Sequence, residues 1–216
     1  MPSPEATYNA ADAISRYAPL ISAIGSILVA ILAIWGDKIR ALLAGPKLEI
    51  EPHNLEGHLT YRGSGAQTWY YHLKVVNKRQ WSPAKRVRVI CTKVFKETSP
   101  GNFEDQRIIV PFQMVWSPPN FHELLPTIKN YDVFDLGSLD QGGAHFELAI
   151  YVRFHYFPGY IKKNERYRIG FDLEADNFHS KRTKWYEIFW DGQWDKDQNK
   201  IRNHLTIKEL DPATHE

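Results

Sequence analysis

Two sets of acidic residues are the first candidates for chemistry in this 216-residue chain: Asp132, Asp135 and Asp140, and then Asp172, Glu174 and Asp176. Paired carboxylates act as acid and base only where a cleft and its neighbours split their pKa values. In the second set the i, i+2 spacing puts all three side chains on one face of a strand, which reads as a solvated sheet face. Asp195-Lys196-Asp197-Gln198-Asn199 starts as a calcium loop does, with oxygen ligands at alternate positions. Its sixth position is Lys200 rather than glycine and its twelfth is Thr206 rather than glutamate, so a polar hairpin loop is expected there. Gly63-Ser64-Gly65 lacks the lysine and following helix of a phosphate loop, and no G-x-S-x-G elbow occurs. Nine histidines are scattered without the close spacing of a zinc site. The one cysteine, Cys91, excludes an intrachain disulfide and alternates with Val87 and Val89, as a buried core thiol would. Neither a metal nor a cofactor is expected.

Recognition is the other chemistry that side chains can carry. Trp81 falls in a turn beside Lys78 and Arg79, and Trp194 falls in Asp191-Gly192-Gln193-Trp194. Turn tips are usually polar, so a tryptophan there either folds back onto its domain or is presented to a partner. Trp81, Trp194, Lys78 and Arg79 are the expected partner-contact residues. Further basic runs, Lys85-Arg86 with Arg88, Lys162-Lys163, and Lys181-Arg182 with Lys184, read as solvated strand ends, anionic-lipid contacts or nucleic-acid contacts. The net charge is only +2, and residues 1–46 hold three basic and three acidic residues, so the remainder is also +2. That lacks the basic excess of a dedicated nucleic-acid binder, and no nucleic-acid partner is expected.

The element that would place such a surface is legible near the N-terminus. Tyr17 to Trp35 is uncharged, long enough to span ~30 Å of hydrocarbon, and bracketed by aromatic anchors. The expected layout is a tail over 1–16, a transmembrane helix with an interfacial extension over 17–44, a β domain over 47–210, and a tail over 211–216. A cleaved signal peptide is the alternative; Glu5, Asp12 and the single basic Arg16 argue against it. Lys38, Arg40 and Lys47 outnumber Arg16, which puts the N-terminus outside and the β domain on the cytoplasmic side of an inner membrane. Ser22, Gly25, Ser26 and Ala30 form a small-residue face on which two such helices could pack into a homo-oligomer.

From Lys47 onward the periodicity is two. Leu48 and Ile50 open a first strand; Trp69, Tyr71, Leu73 and Val75 share one face of the next. Phe146, Leu148, Ile150, Val152 and Phe154 form the clearest run, followed by Tyr167 to Ala175, Tyr186 to Trp190, and Leu205 with Ile207. Strict alternation means one face buried and one wet, and the strands are separated by Ser99-Pro100-Gly101-Asn102, Gly142-Gly143 and Phe157-Pro158-Gly159. The fold class expected is all-β, an antiparallel sandwich of seven to nine strands after one N-terminal helix. Residues 116–127 are expected to be a longer connection with room for one short helix.

His72-Leu73-Lys74-Val75-Val76-Asn77 followed by Ser82-Pro83-Ala84-Lys85-Arg86-Val87-Arg88-Val89 is similar to a hairpin of bacterial immunoglobulin-like domains of the cell-adhesion-related type. Asp135-Leu136-Gly137 and Ala175-Asp176-Asn177 look like turns in single-helix anchored bacterial proteins. The usual glycine of the first turn is replaced here by Lys78-Arg79-Gln80-Trp81. The resemblance, covering roughly a third of the soluble part, implies a non-enzymatic, Ig-like interaction fold. The function expected is a membrane-anchored binding or assembly module acting through protein contacts, with the bilayer and an unidentified protein as partners. The alternatives are an oligomerising membrane effector of a bacterial defence system and an enzyme with an unrecognised site.

Overall fold

The computed structural model describes residues 4–62, 65–118 and 125–211. The chain divides into two compact units, with the boundary between Ala44 and Gly45. The first is a helix, α1 (Pro4–Ala44). It starts well before the expected tail ends, because proline suits a first helical turn and Ala6, Ala10, Ala11 and Ala13 are strong helix formers. Pro19 is therefore an interior residue and leaves the Ser15 carbonyl without its i+4 donor. Ser15–Gly36 has 22 residues, roughly 33 Å of helix, and is apolar enough to cross a bilayer. The Ser26 hydroxyl donates to the Ser22 carbonyl at 2.9 Å, so it is satisfied within its own helix.

The second unit contains, among the described residues, twelve strands and one short helix. They are β1 (Leu48–Tyr61), β2 (Gln67–Asn77), β3 (Arg88–Ser99), β4 (Asn102–Asp105), β5 (Phe112–Gln113), β6 (Tyr131–Asp140), β7 (His145–Leu148), β8 (Tyr160–Lys162), β9 (Glu165–Ala175), β10 (Phe178–His179), β11 (Lys184–Trp190), α2 (Gln198–His204) and β12 (Leu205–Leu210). One sheet has the order β1-β2-β6-β7-β8; the other has β12-β11-β9-β3-β4, with β10 added to β9 and β5 to β3. All pairings are antiparallel. The sandwich is as expected, and the strand number is higher because pieces of two or three residues, β5, β8 and β10, are too short to show a period.

The alternating residues meet between the sheets. Leu73, Val75, Val89, Cys91, Ile169 and Ile188 are fully buried. An aromatic chain crosses the gap, Trp116 to Phe134 at 6.1 Å, Phe134 to Phe171 at 6.2 Å and Phe171 to Tyr186 at 6.2 Å, joining β6 to β9 and β11. Burial pushes the Cys91 thiol well above its ordinary value, as expected of an inert core cysteine. The Tyr71 hydroxyl, also buried, has no hydrogen-bond partner among the described residues, and an unpartnered buried hydroxyl costs about 1–3 kcal/mol. Tyr71→Phe is accordingly expected to raise the urea midpoint of the full chain in detergent, by about 1 kcal/mol in stability; a lower midpoint would show that the hydroxyl is satisfied.

Three local expectations change. Asp135-Leu136-Gly137 is not a turn but the middle of β6, where Tyr71 pairs with Gly137 and His72 with Asp135, leaving Leu136 as a bulge. The strand expected from Phe146 to Phe154 stops at Leu148. Beyond it Ile150 bridges Met114, and Tyr151 N–H donates to the Gln113 carbonyl at 3.1 Å, so the chain leaves its sheet for the β5 segment. Asp195-Lys196-Asp197-Gln198-Asn199 is not a hairpin loop: Asp197 caps α2, its carboxylate accepting from Asn199 N–H at 2.9 Å. Half of the connection expected to hold a helix, residues 119–124 of 116–127, lies outside the described residues.

Candidate functional site

The end of the sandwich at which the chain enters the domain is organised by Asn77. This residue is 1% exposed. Its Oδ1 accepts from Lys47 N–H at 3.2 Å and from Arg79 N–H at 3.0 Å, and its Nδ2 donates to the Ser82 carbonyl at 2.8 Å. Lys78 N–H donates to the Lys47 carbonyl, and the Arg79 guanidinium donates to the Gly45 carbonyl at 3.2 Å. One buried amide thus ties the first residues of the domain to the segment after β2. That segment is not a hairpin, since β2 and β3 belong to different sheets; it is an arch between them. At its tip Trp81 is 67% exposed, with the Arg79 guanidinium 5.9 Å from its ring centre. Lys78 pairs with Glu51, whose carboxyl it holds below the usual carboxylate range.

Trp194 lies elsewhere. Its indole N–H donates to the Leu139 carbonyl at 3.3 Å, and its half-buried ring packs on the core. The adjacent Asp195 carbonyl accepts from Trp69 near the opposite end of β2. β2 has 11 residues, so at ~3.3 Å per residue the two tryptophans are separated by roughly 30 Å. They do not form one contact site as expected: Trp81 is presented and Trp194 is folded back.

A second surface carries no signal that the sequence reading used. Where the chain leaves β7, residues 149–157 run beside residues 106–111. The Tyr156 hydroxyl donates to the Val110 carbonyl at 3.0 Å and accepts from Val110 N–H at 3.1 Å, clamping the two loops together. Phe154 stacks on Tyr156 with ring centres 5.2 Å apart. The clamped loops turn apolar side chains outward: Ile109 is 77% exposed and Val152 57%, with Val110, Tyr151 and Tyr156 also exposed. Ile108-Ile109-Val110, three consecutive apolar residues that cannot all face one core, was the available clue.

The acid–base candidates are paired rather than poised. His72 Nδ1 lies 2.8 Å from Asp135 Oδ1, and His204 Nδ1 lies 2.8 Å from Asp191 Oδ2. Among the described residues Asp135 is the one hydrogen-bond partner of the His72 ring. Asp140 accepts from Thr68 at 2.7 Å and pairs with Arg62 at 3.1 Å. Asp172 accepts from Thr92, Glu174 pairs with Arg88, and Asp176 is held by the Arg86 Nε at 2.9 Å from both its oxygens. Arg86 has a left-handed backbone, φ 52°. An open cleft of about 450 Å³ is lined by Arg86, Arg88, Glu174, Asp176, Phe178 and His179, with both arginines committed to these carboxylates. Burial lowers the His53 and His145 pKa values, which keeps both rings neutral near pH 7. No group of three or more metal-ligating side chains occurs among the described residues.

No known protein family, curated protein or solved structure matches this chain. Its surfaces are therefore the guide to what it does.

Proposed function

We propose that this chain is a membrane-anchored, non-enzymatic binding and assembly module, held by α1 as an uncleaved single-pass anchor and making protein contacts through the patch around Ile109 and Val152. The observation that carries this reading is the exposure of five large apolar side chains on two loops that hydrogen bonds hold in place. A contiguous apolar patch on a folded surface is characteristic of interaction sites, and a clamped one loses little conformational entropy on docking. Tethering supports the same reading. A bilayer confines tethered domains to two dimensions, so a patch too small to hold partners in solution can do so at a membrane. The small face of Ser22, Gly25, Ser26 and Ala30 would add helix-to-helix contact to such an assembly. The flanking charges favour a domain on the cytoplasmic side of the inner membrane, and the Ig-like resemblance agrees with an interaction role.

The test is photocrosslinking in intact cells, with a photoreactive amino acid placed at Val152 or Ile109 and, as control, at the exposed Gln193. Adducts are expected from the first two positions and not from the third, and Val110→Asp should remove them. Adducts of twice the chain mass indicate self-assembly and other masses a foreign partner; both support a protein-contact site. Membranes in which neither patch position yields an adduct would overturn it.

A further inference from the structure

The entry end of the sandwich carries the domain's whole positive excess. Lys47, Lys74, Lys78, Arg79, Lys85, Arg86 and Lys129 stand there against Glu49, Glu51, Asp132 and Asp176, an excess of three on a domain whose net charge is +2. The placement is structural. Lys129 sits between Ile128, which bridges Ala84, and Asn130, whose carbonyl accepts from Asn77 N–H. Lys85 N–H donates to Asn177 Oδ1 at 3.3 Å. Three carboxylates of this end are taken, Glu49 by Lys47, Glu51 by Lys78 and Asp176 by Arg86, and Asp132 accepts from Val133 N–H at 2.9 Å. Lys85 and Lys129 have no carboxylate partner among the described residues and are exposed. Two exposed aromatics accompany them, Trp81 and, at the first position of β6, Tyr131 at 61%.

Cations interspersed with a solvent-facing Trp and Tyr are the composition of a protein surface that meets lipid headgroups. The rings settle at the interface, and each nearby Lys or Arg is drawn to an anionic leaflet. Gly45, the residue through which the chain enters the domain, is bonded into this same end by Arg79. We propose that the entry end of the sandwich docks on the anionic glycerophospholipid surface of the membrane that α1 spans, with Trp81 and Tyr131 seated among the headgroups and Lys85 and Lys129 supplying the charge attraction. This rests on the reading of α1 as an anchor. It assigns Trp81, Lys78 and Arg79 to a lipid surface and leaves the Ile109–Val152 patch to proteins.

The experiment uses the full chain reconstituted into liposomes of phosphatidylcholine alone or with 30% phosphatidylglycerol, an arbitrary but roughly physiological anionic fraction. An environment-sensitive fluorophore is attached at Gln80→Cys; Cys91 is fully buried and does not compete for the label. The same label at Gln193→Cys reports on the far end. The emission from position 80 is expected to shift to the blue only in anionic liposomes, and to return in about 1 M salt, where screening shortens to ~3 Å. Combining Lys85→Gln with Lys129→Gln should abolish the shift, and Trp81→Ala should reduce it. Equal emission from position 80 in both lipids, or an equal shift at position 193, would overturn the proposal. Alkaline carbonate extraction separates the two readings: a chain that washes off fails as an anchor, whereas one that stays with an insensitive position 80 fails only in the docking.

Discussion

Gly137→Ala is expected to destabilise the domain by about 3 kcal/mol, the upper end of the usual range for forcing extra atoms into a packed interior. A Cβ at this position would lie 2.5 Å from the Glu147 carbonyl oxygen and 2.5 Å from Cζ of Phe146. The first neighbour is backbone of the adjoining strand, and the second is a fully buried ring that stacks edge-on against Tyr71 at 5.8 Å. Neither can move alone. β6 and β7 pair at Gly137–Leu148 and Ser138–Glu147, with Ala149 N–H donating to the Leu136 carbonyl just beyond, so pushing Glu147 away breaks one of the two paired positions and loosens β8 beyond it. Gly137→Val should go further and leave no cooperative transition. Urea unfolding of the full chain in detergent, followed by tryptophan fluorescence, measures both. A cost below about 1 kcal/mol for the alanine variant would mean that β7 yields freely and that the packing described here is wrong.

The same residue shows where the sequence was readable and where it was not. The period-two runs of β2, β9 and β11 specify their buried faces directly, and Trp69, Tyr71, Leu73, Val75, Tyr167, Ile169, Phe171, Tyr186 and Ile188 are all in the core. A period survives only while the ladder is regular. At Leu136 one extra residue enters β6, and the Asp-Leu-Gly triplet, rich in turn formers, is then ambiguous between a turn and a bulge. From Phe146 to Phe154 the alternation continues in the sequence while the backbone departs, because Ile150 finds its partner in Met114 of another segment; no local pattern encodes that. Surface presentation was half legible. Trp81 and Trp194 occupy similar turn contexts, yet Trp194 is retained by the Leu139 carbonyl, 55 residues away in the chain. The Ile109–Val152 patch is formed by two loops that meet only in the folded domain, so the run Ile108-Ile109-Val110 hints at one half of it and nothing local joins that half to Val152.

Phe134→Ala is expected to cost about 3–5 kcal/mol, the range for removing a buried phenylalanine ring. Phe134 is fully buried, with the Trp116 ring on one side and the Phe171 ring on the other, so it is one of the side chains by which the first sheet packs on the second. Emptying that position leaves a cavity which the flanking rings cannot close, since each is held in a different strand or bridge. The informative comparison is Val152→Asp. Val152 is 57% exposed, and a charged residue in water at such a position is expected to change stability by no more than ~0.5 kcal/mol. Two apolar residues of the same domain should thus differ by several kcal/mol when replaced. Denaturation midpoints of the two variants, measured side by side, test that difference; a Val152→Asp variant as unstable as Phe134→Ala would mean that the patch is buried against the domain itself. If the difference is found, folding does not require an apolar residue at position 152, and Val152 is free to serve the protein contact proposed for the patch.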